Sequence, residues 1–390
     1  MAKKEGIEVA IAVAEAAKLA KVDVVAAYPI TPQSHIAEHL AALVANGELD
    51  ATYVPVESEH SAMSTCLGSS ATGARTFTAT SGQGLELMHE VVYVASSMRL
   101  PIVMPVCNRA LSAPLSVWGD HSDVMSVRDT GWIQIFTENG QESVDNVICG
   151  FRMGEDPRVV LPVMIHLDGF HLSHMIEPIT YPDQAKVDEF LPPYKHPSPL
   201  NIEDPVSMGC FGPPFIYTEA KKAQEVNLEA SKKVILEVWK EFGEKFGRNY
   251  SPVEKYCSDG AKTLLLTMGS YSETAMAAID EMRAEGKDVG LIRIRLWRPF
   301  PFDEFRDAVK DADILVVLDR ALSYGGPAPV CSEVKAALYA EPKRPKVASF
   351  VAGLGGRHIT VDGFKHIVNR GEEIAQKGSD TEFEMYGVRE

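Results

Sequence analysis

The chain has 390 residues, 45% of them hydrophobic, with 54 acidic side chains against 38 basic ones and a formal net charge of −16. That length predicts two domains, each apolar enough for its own core. The acid excess and the lack of a long basic run argue against a nucleic-acid or anionic-membrane surface, and no uncharged apolar run approaches the ~18–20 residues that span a bilayer.

At the N-terminus, two lysines precede an apolar stretch, as in a secretory signal. Glu5, Glu8 and Glu15 interrupt it, so an amphipathic helix over 5–20 and a cytoplasmic location are predicted. Apolar strands then follow at 22–27, 52–56, 75–80, 101–106, 132–136 and 159–166. Helical patterns fall between them at 32–46, 59–71, 84–97 and 140–153. Strands that read as short continuous apolar runs are buried on both faces, so the alternation predicts a doubly wound α/β domain with a parallel sheet.

From about 178 to 216 the pattern stops in a run rich in proline. This stretch reads as an extended crossing segment, on the surface or against a partner. A charged helix at 217–246 reads as a packed connector and closes the first domain, 1–245. Residues 246–259 read as a linker. A second α/β unit, 260–378, has strands at 262–267, 288–294, 313–318 and 346–351, with helices at 271–285, 302–312, 330–340 and 361–375. The acidic tail, 379–390, is expected to pack loosely.

The six cysteines, Cys66, Cys107, Cys149, Cys210, Cys257 and Cys331, contain no C-x-x-C pair. No zinc or iron–sulfur ligand set is read, and no metal ligand is assigned. The thiols are expected to be reduced and mostly buried.

Five stretches could carry chemistry. In AAYPITPQS (26–34), a strand ends at Tyr28 and a turn follows, where open α/β sheets bind ligands. The plain alternative makes Thr31 a helix N-cap and Pro32 the first helical residue. In PVESEHSA (55–62), Glu57, Glu59 and His60 open a helix. They either complement its dipole or hold one carboxyl in a dry cleft, where it can share a proton with a ring nitrogen. TSGQG (80–84) allows a tight turn with exposed N–H groups at Gly82 and Gly84. The stretch 107–124 brings Arg109 to a strand end. Arg109 could clamp a substrate carboxylate or pair with Asp120 or Asp123, and His121 is open between loop residue and general base. GLGGRH (353–358) could cradle a phosphate, but a chain turn is favoured.

Together these strings resemble the alpha subunit of the 2-oxoacid:ferredoxin oxidoreductases. The resemblance runs through YPITP (28–32), SEHSA (58–62), TSGQG, RALSAPLSVWGDHSD (109–123), RDTGW (128–132), LDGF (167–170), WRPFP (297–301), the LDR-ALSYGG turn near 318–326 and FVAGLGGR (350–357), and it covers nearly the whole chain. It implies a pyrimidine-type thiamine-diphosphate-binding domain followed by a domain like the C-terminal domain of transketolase, there mainly for packing.

The cofactor would lie between two chains. This subunit would hold the aminopyrimidine end, with Glu59 as the activating carboxylate and Tyr28, Pro29, Gly82 and Gln83 near the ring. A beta-type subunit would hold the diphosphate and Mg2+. Gamma- and delta-type ferredoxin-like subunits would carry [4Fe-4S] clusters and pass electrons to external ferredoxin. Thr31 matches a residue that hydrogen-bonds the substrate, and Arg109 the one that binds its carboxylate.

Within that resemblance, Thr31 and RALSAP imply a monoanion with a small methyl group, hence pyruvate, with coenzyme A as acyl acceptor and the physiological direction left open. A branched-chain 2-oxoacid, 2-oxoglutarate and oxalate remain alternatives. So do a lipoamide-linked oxoacid dehydrogenase component and a non-catalytic scaffold, although a scaffold would not need Thr31, Glu59 and Arg109 together.

Overall fold

The computed structural model describes residues 4–379 and 381–389. The first part of the chain runs through β1 (Lys4–Glu8), α1 (Val9–Leu19), β2 (Val24–Ala27), α2 (Ser34–Ala45), β3 (Thr52–Pro55), α3 (Glu59–Ala71), β4 (Thr76–Phe77), α4 (Gly82–Leu87), α5 (His89–Ser97) and β5 (Val103–Asn108). It continues through α6 (Ser122–Ser126), β6 (Ile133–Phe136), α7 (Gly140–Gly154), β7 (Val163–Asp168), β8 (Ile176–Thr180), α8 (Gln184–Phe190) and α9 (Pro214–Phe246). The remainder comprises β9 (Val253–Tyr256), β10 (Thr263–Thr267), α10 (Tyr271–Ala284), β11 (Val289–Ile294), β12 (Leu296–Arg298), α11 (Phe302–Val309), β13 (Ile314–Asp319), α12 (Pro329–Leu338), β14 (Lys346–Val351), α13 (Val361–Lys377) and β15 (Glu384–Met385).

The larger sheet has the order β12-β6-β7-β5-β4-β2-β3 and is parallel except for β12. Every residue of β5, β6 and β7 is buried, because helices cover both faces. One face packs on α1, α7 and α9, around Phe151 and Trp239. The other packs on α3 and α5, around Met63 and Trp132. The smaller sheet, β15-β14-β13-β10-β11-β9, is parallel except for β9 and is likewise packed on both faces. The doubly wound α/β reading is borne out.

Several local expectations fail, those about strands because the pairing partners lie far along the chain. The predicted helix over 5–20 begins as β1, which pairs antiparallel with β8. Gly6 weakens a helix there by roughly 1 kcal/mol, and the ribbon takes over its backbone. The same ribbon puts a strand into the proline-rich stretch. Pro178, opposite Gly6, is tolerated because a two-stranded ribbon has free edges. α8 then follows in a segment expected to be extended. The helix expected over 84–97 breaks at Met88 into α4 and α5. β9 falls within the expected linker and pairs with β11. β12, in the WRPFP string of the second unit, crosses to the edge of the first sheet beside β6. The tail is tied down at β15, which pairs with β14.

Buried ion pairs join the two units. Glu142 on α7 accepts from Arg293 at 2.9 and 3.0 Å and from Arg295 at 2.6 Å. Burial opposes ionisation of Glu142, but the charges of Arg295 and Arg293 overcome it and hold the carboxyl at about 2. Its folded value therefore lies below the ordinary 4.5. The stability it contributes is complete above about pH 4.5 and is lost as pH falls toward about 2. Glu142→Ala leaves two buried guanidinium groups short of a partner and is expected to cost about 3 kcal/mol. Urea denaturation at neutral pH checks this, and a change within ~0.5 kcal/mol would show that the network carries no net stability.

Candidate active site

Four neighbouring parallel strands, β5, β4, β2 and β3, end on one edge of the larger sheet, and the loops beyond them carry the candidate residues. Beyond β3, the Ser58 side chain accepts from the Ser61 N–H at 3.2 Å and caps α3, so the helix opens at Glu59. Glu59 is only 5% exposed, and no cation pairs with it among the described residues. Burial raises its carboxyl above the ordinary range, opposed only by its own backbone N–H. The neighbouring acid is different. Glu57 is exposed and accepts from the Ser61 hydroxyl, and His60 is exposed as well.

TSGQG lies between Glu59 and Arg109. Thr80 bridges to Val106, then α4 opens at Gly82. Gly82 has φ +45°, and a Cβ there would meet the Arg109 side chain at 3.0 Å. A Cβ on Gly84 would meet Glu59 Oε1 at 2.5 Å and Thr80 Oγ1 at 2.6 Å. The two glycines therefore let the backbone pass close under both charged groups. Gln83 donates Nε2–H to Ser112 Oγ at 3.0 Å. Its Oε1 and the Thr80 hydroxyl oxygen are buried without a partner among the described residues.

Arg109 follows the last residue of β5 and is 6% exposed. It donates Nη1–H to the Thr31 carbonyl and Nε–H to the Ser116 carbonyl, both at 2.9 Å. It makes no ion pair with Asp120, Asp123 or any other described carboxylate, so the guanidinium is oriented by neutral oxygens and keeps its charge available. Thr31 is exposed and does not cap a helix. Ile30 and Gln33 close the turn, with Gln33 N–H donating to Ile30 O at 2.6 Å, and α2 starts at Ser34. Tyr28 and Pro29, just beyond β2, are exposed.

Sequence reasoning weighed Asp123 only as a possible ion-pair partner of Arg109, yet it organises the site. This fully buried carboxylate accepts the Gly82 N–H at 3.1 Å, the Arg109 N–H at 2.9 Å, Asn108 Nδ2–H at 3.1 Å and the Val124 N–H at 2.7 Å. It ties the glycine turn to the arginine through backbone groups, which leave no signature in residue type. His121 belongs elsewhere. Its Nε2 lies 3.0 Å from Asp168 Oδ1, in a buried cluster that also holds Arg320 and Ser270.

GLGGRH proves to be a brace. Gly356 N–H donates to the Gly119 carbonyl at 2.8 Å and Gly355 N–H to Asp120 Oδ2 at 3.0 Å. The second unit thereby grips the far end of the loop that starts at Arg109. Tyr28, Leu115 and Trp118, on the loops around Glu59 and Arg109, remain exposed, at 36%, 73% and 51%.

The chain is similar to known proteins along nearly its whole length. Residues 15–240 match the family described as "Pyruvate flavodoxin/ferredoxin oxidoreductase, thiamine diP-bdg", and residues 261–364 match "Pyruvate:ferredoxin oxidoreductase core domain II". The chain is 50% identical over 383 residues to pyruvate synthase subunit PorA of Methanocaldococcus jannaschii, covering 97% of this chain and 96% of that one. It is 45% identical over 381 residues to ketoisovalerate oxidoreductase subunit VorA of Pyrococcus horikoshii, again covering 97% and 96%.

The fold is similar to the solved 2-oxoglutarate:ferredoxin oxidoreductase of Magnetococcus marinus, with TM-score 0.71 and 20% identity, over 96% of this chain and 65% of that longer one. It is also similar to a split-gene transketolase, an inactive beta4 tetramer, with TM-score 0.56 and 13% identity, over 95% of this chain and all of that one. No helix among the described residues is long and apolar enough to cross a membrane. With a thiamine-diphosphate-binding domain matched over most of its first unit and 50% identity along nearly its whole length, the chain belongs to the pyruvate flavodoxin/ferredoxin oxidoreductase family.

Proposed function

We propose that this chain is the alpha-type subunit of a cytoplasmic pyruvate:ferredoxin oxidoreductase and activates thiamine diphosphate through Glu59. The overall reaction takes pyruvate, coenzyme A and two oxidised ferredoxins to acetyl-CoA, carbon dioxide, two reduced ferredoxins and a proton. The observation that carries the reading is Glu59 itself, a buried carboxyl without a cation, set over Gly84 and Thr80 on the edge that also presents Arg109.

The residues suit the cofactor. Glu59 packed directly over Gly84 and Thr80, together with unpartnered buried oxygens at Thr80 and Gln83, suits a ring bearing N–H donors. Thiamine diphosphate, when bound, supplies the carbon nucleophile and the electron sink that an amino-acid side chain lacks. Glu59 holds the proton shared with a ring nitrogen, and burial suits it because a raised carboxyl shares a proton more readily. Gly82, Gln83, Tyr28 and Pro29 flank the ring. Arg109 orients the substrate carboxylate, and the Thr31 hydroxyl hydrogen-bonds the substrate beside it.

The exposed apolar residues Tyr28, Leu115 and Trp118 support a covering beta subunit that holds the diphosphate and Mg2+. Gamma and delta subunits carry the [4Fe-4S] clusters. The 45% identity to a ketoisovalerate subunit makes a branched-chain 2-oxoacid the second reading.

Reduction of a one-electron viologen dye by the assembled enzyme tests the proposal. Coenzyme A-dependent reduction with pyruvate, at a kcat/KM at least ~10-fold above that with 2-oxoisovalerate or 2-oxoglutarate, is expected, since a single methylene in a hydrophobic pocket is worth about 10–200-fold and these substrates add an isopropyl's extra carbons or a second carboxylate. A preference for 2-oxoisovalerate selects the second reading, and no reduction with any 2-oxoacid overturns both.

A further inference from the structure

Behind the Thr31 turn, three side chains from distant parts of the chain converge beside the β1–β8 ribbon. Glu8 ends β1, His35 lies in the first turn of α2, and His174 lies in the turn between β7 and β8. One potential ligand atom from each lies within 4.8 Å of the other two, and all three residues are half-buried. His35 Nδ1 is 2.5 Å from Glu8 Oε1. The rings of His35 and His174 have centroids 4.7 Å apart and planes inclined by 33°. Two imidazoles bound to one ion through bonds of ~2.0–2.1 Å hold their centres roughly 4.5 Å apart at a right angle and roughly 5.2 Å apart at a tetrahedral one, so the observed spacing falls within the reach of a shared ion.

A simple ion pair accounts for Glu8 and His35 but not for His174. That ring is oriented separately, by Ser173 Oγ at 2.8 Å from its Nδ1 and by Phe170 packed at 4.6 Å between centroids. Metal-bound histidines are held by this kind of outer support. Two neutral imidazoles and one carboxylate carry a single negative charge, which favours a divalent cation. Nitrogen donors select a zinc-type ion over magnesium or calcium.

We propose that Glu8, His35 and His174 form a binding site for one divalent transition-metal ion of the zinc type. The ion fastens the N-terminal strand and the β7–β8 turn to α2, whose first turn follows Thr31. It takes no electron and makes no bond to substrate. The site is separate from the thiamine-diphosphate reading and stands or falls without it.

Equilibrium dialysis of the untagged full-length chain against Zn2+, after chelator treatment, is the test. One tightly held zinc per chain is expected, with affinity lowered at least ~10-fold in Glu8→Gln and in His174→Gln. Absence of saturable zinc uptake, or uptake unchanged in both variants, overturns the proposal. Loading the unaltered chain with Co2+ keeps the test independent of variant folding. Visible d–d bands without a thiolate charge-transfer band are expected, whereas a thiolate band would assign the metal to cysteine and refute the site.

Discussion

Glutamine at position 59 is expected to lower pyruvate oxidation by the assembled enzyme about 10³-fold, the scale of a lost proton-sharing group. The Glu59→Gln side chain keeps the size and the packing over Gly84 and Thr80, so the fold and the cleft remain. What disappears is the acidic proton, which an amide cannot share with a ring nitrogen. Glu59→Asp keeps the acid but withdraws it by one methylene, so an intermediate loss of roughly 10–100-fold is expected, because sub-ångström placement governs such transfers. Initial rates at saturating thiamine diphosphate, with cofactor affinity measured separately by quenching of intrinsic fluorescence, check both. Glu59→Gln enzyme that retains more than a tenth of the activity would remove the carboxyl from the reaction. Glu57→Gln is the control, since Glu57 is exposed and sits on the Ser61 hydroxyl; its rate should be near that of the unaltered enzyme.

The second large effect concerns Arg109. Arg109→Ala is expected to reduce kcat/KM for pyruvate by about 30–150-fold, the scale of one desolvated charge-assisted hydrogen bond worth roughly 2–3 kcal/mol. Thiamine diphosphate affinity should stay within about threefold. The structure explains the separation. Thr31 O and Ser116 O orient the guanidinium, and no described carboxylate neutralises it. A substrate carboxylate therefore meets a cation that is already placed and unpaired. Arg109→Lys restores the charge without the planar fork and should recover only part of the loss. Substrate titrations of both variants, beside cofactor binding and melting temperature, separate the outcomes. Equal loss of pyruvate use and cofactor binding reassigns Arg109 to the cofactor, and a fall in melting temperature alone reassigns it to the fold.

Much of this site could be read from residues near one another in the chain. A strand that is one continuous apolar run is buried on both faces, and the loop beyond its carboxyl end faces the ligand edge. YPITP, SEHSA, TSGQG and Arg109 could all be assigned to such loops from local patterns. The choice of Glu59 over Glu57 came from the family resemblance, and the burial difference between them agrees with it. What stayed hidden was the support beneath these residues. Asp123 holds Gly82 and Arg109 through their backbone N–H groups, which every residue type but proline carries. Asp168, His121 and Arg320 meet across the two units, and so do GLGGRH and Gly119–Asp120. The Thr31 turn misled because Thr-Pro is a good helix opening, whereas here Gln33 closes the turn with Ile30 and starts the helix later.

By itself, the sequence determined the two α/β units and the sheet edge that carries the candidate residues, because apolar period and turn chemistry act over a few residues, and it determined the family through the resemblance of its strings. Only the tertiary structure decided that β1 and β8 form a ribbon, that β12 crosses to the other sheet, that β9 and β15 close the second sheet, and that Glu8, His35 and His174 share one place. Those pairings join residues tens to hundreds of positions apart. Which distant partner wins depends on burial and hydrogen bonding summed over the whole fold, which no local window of residues contains.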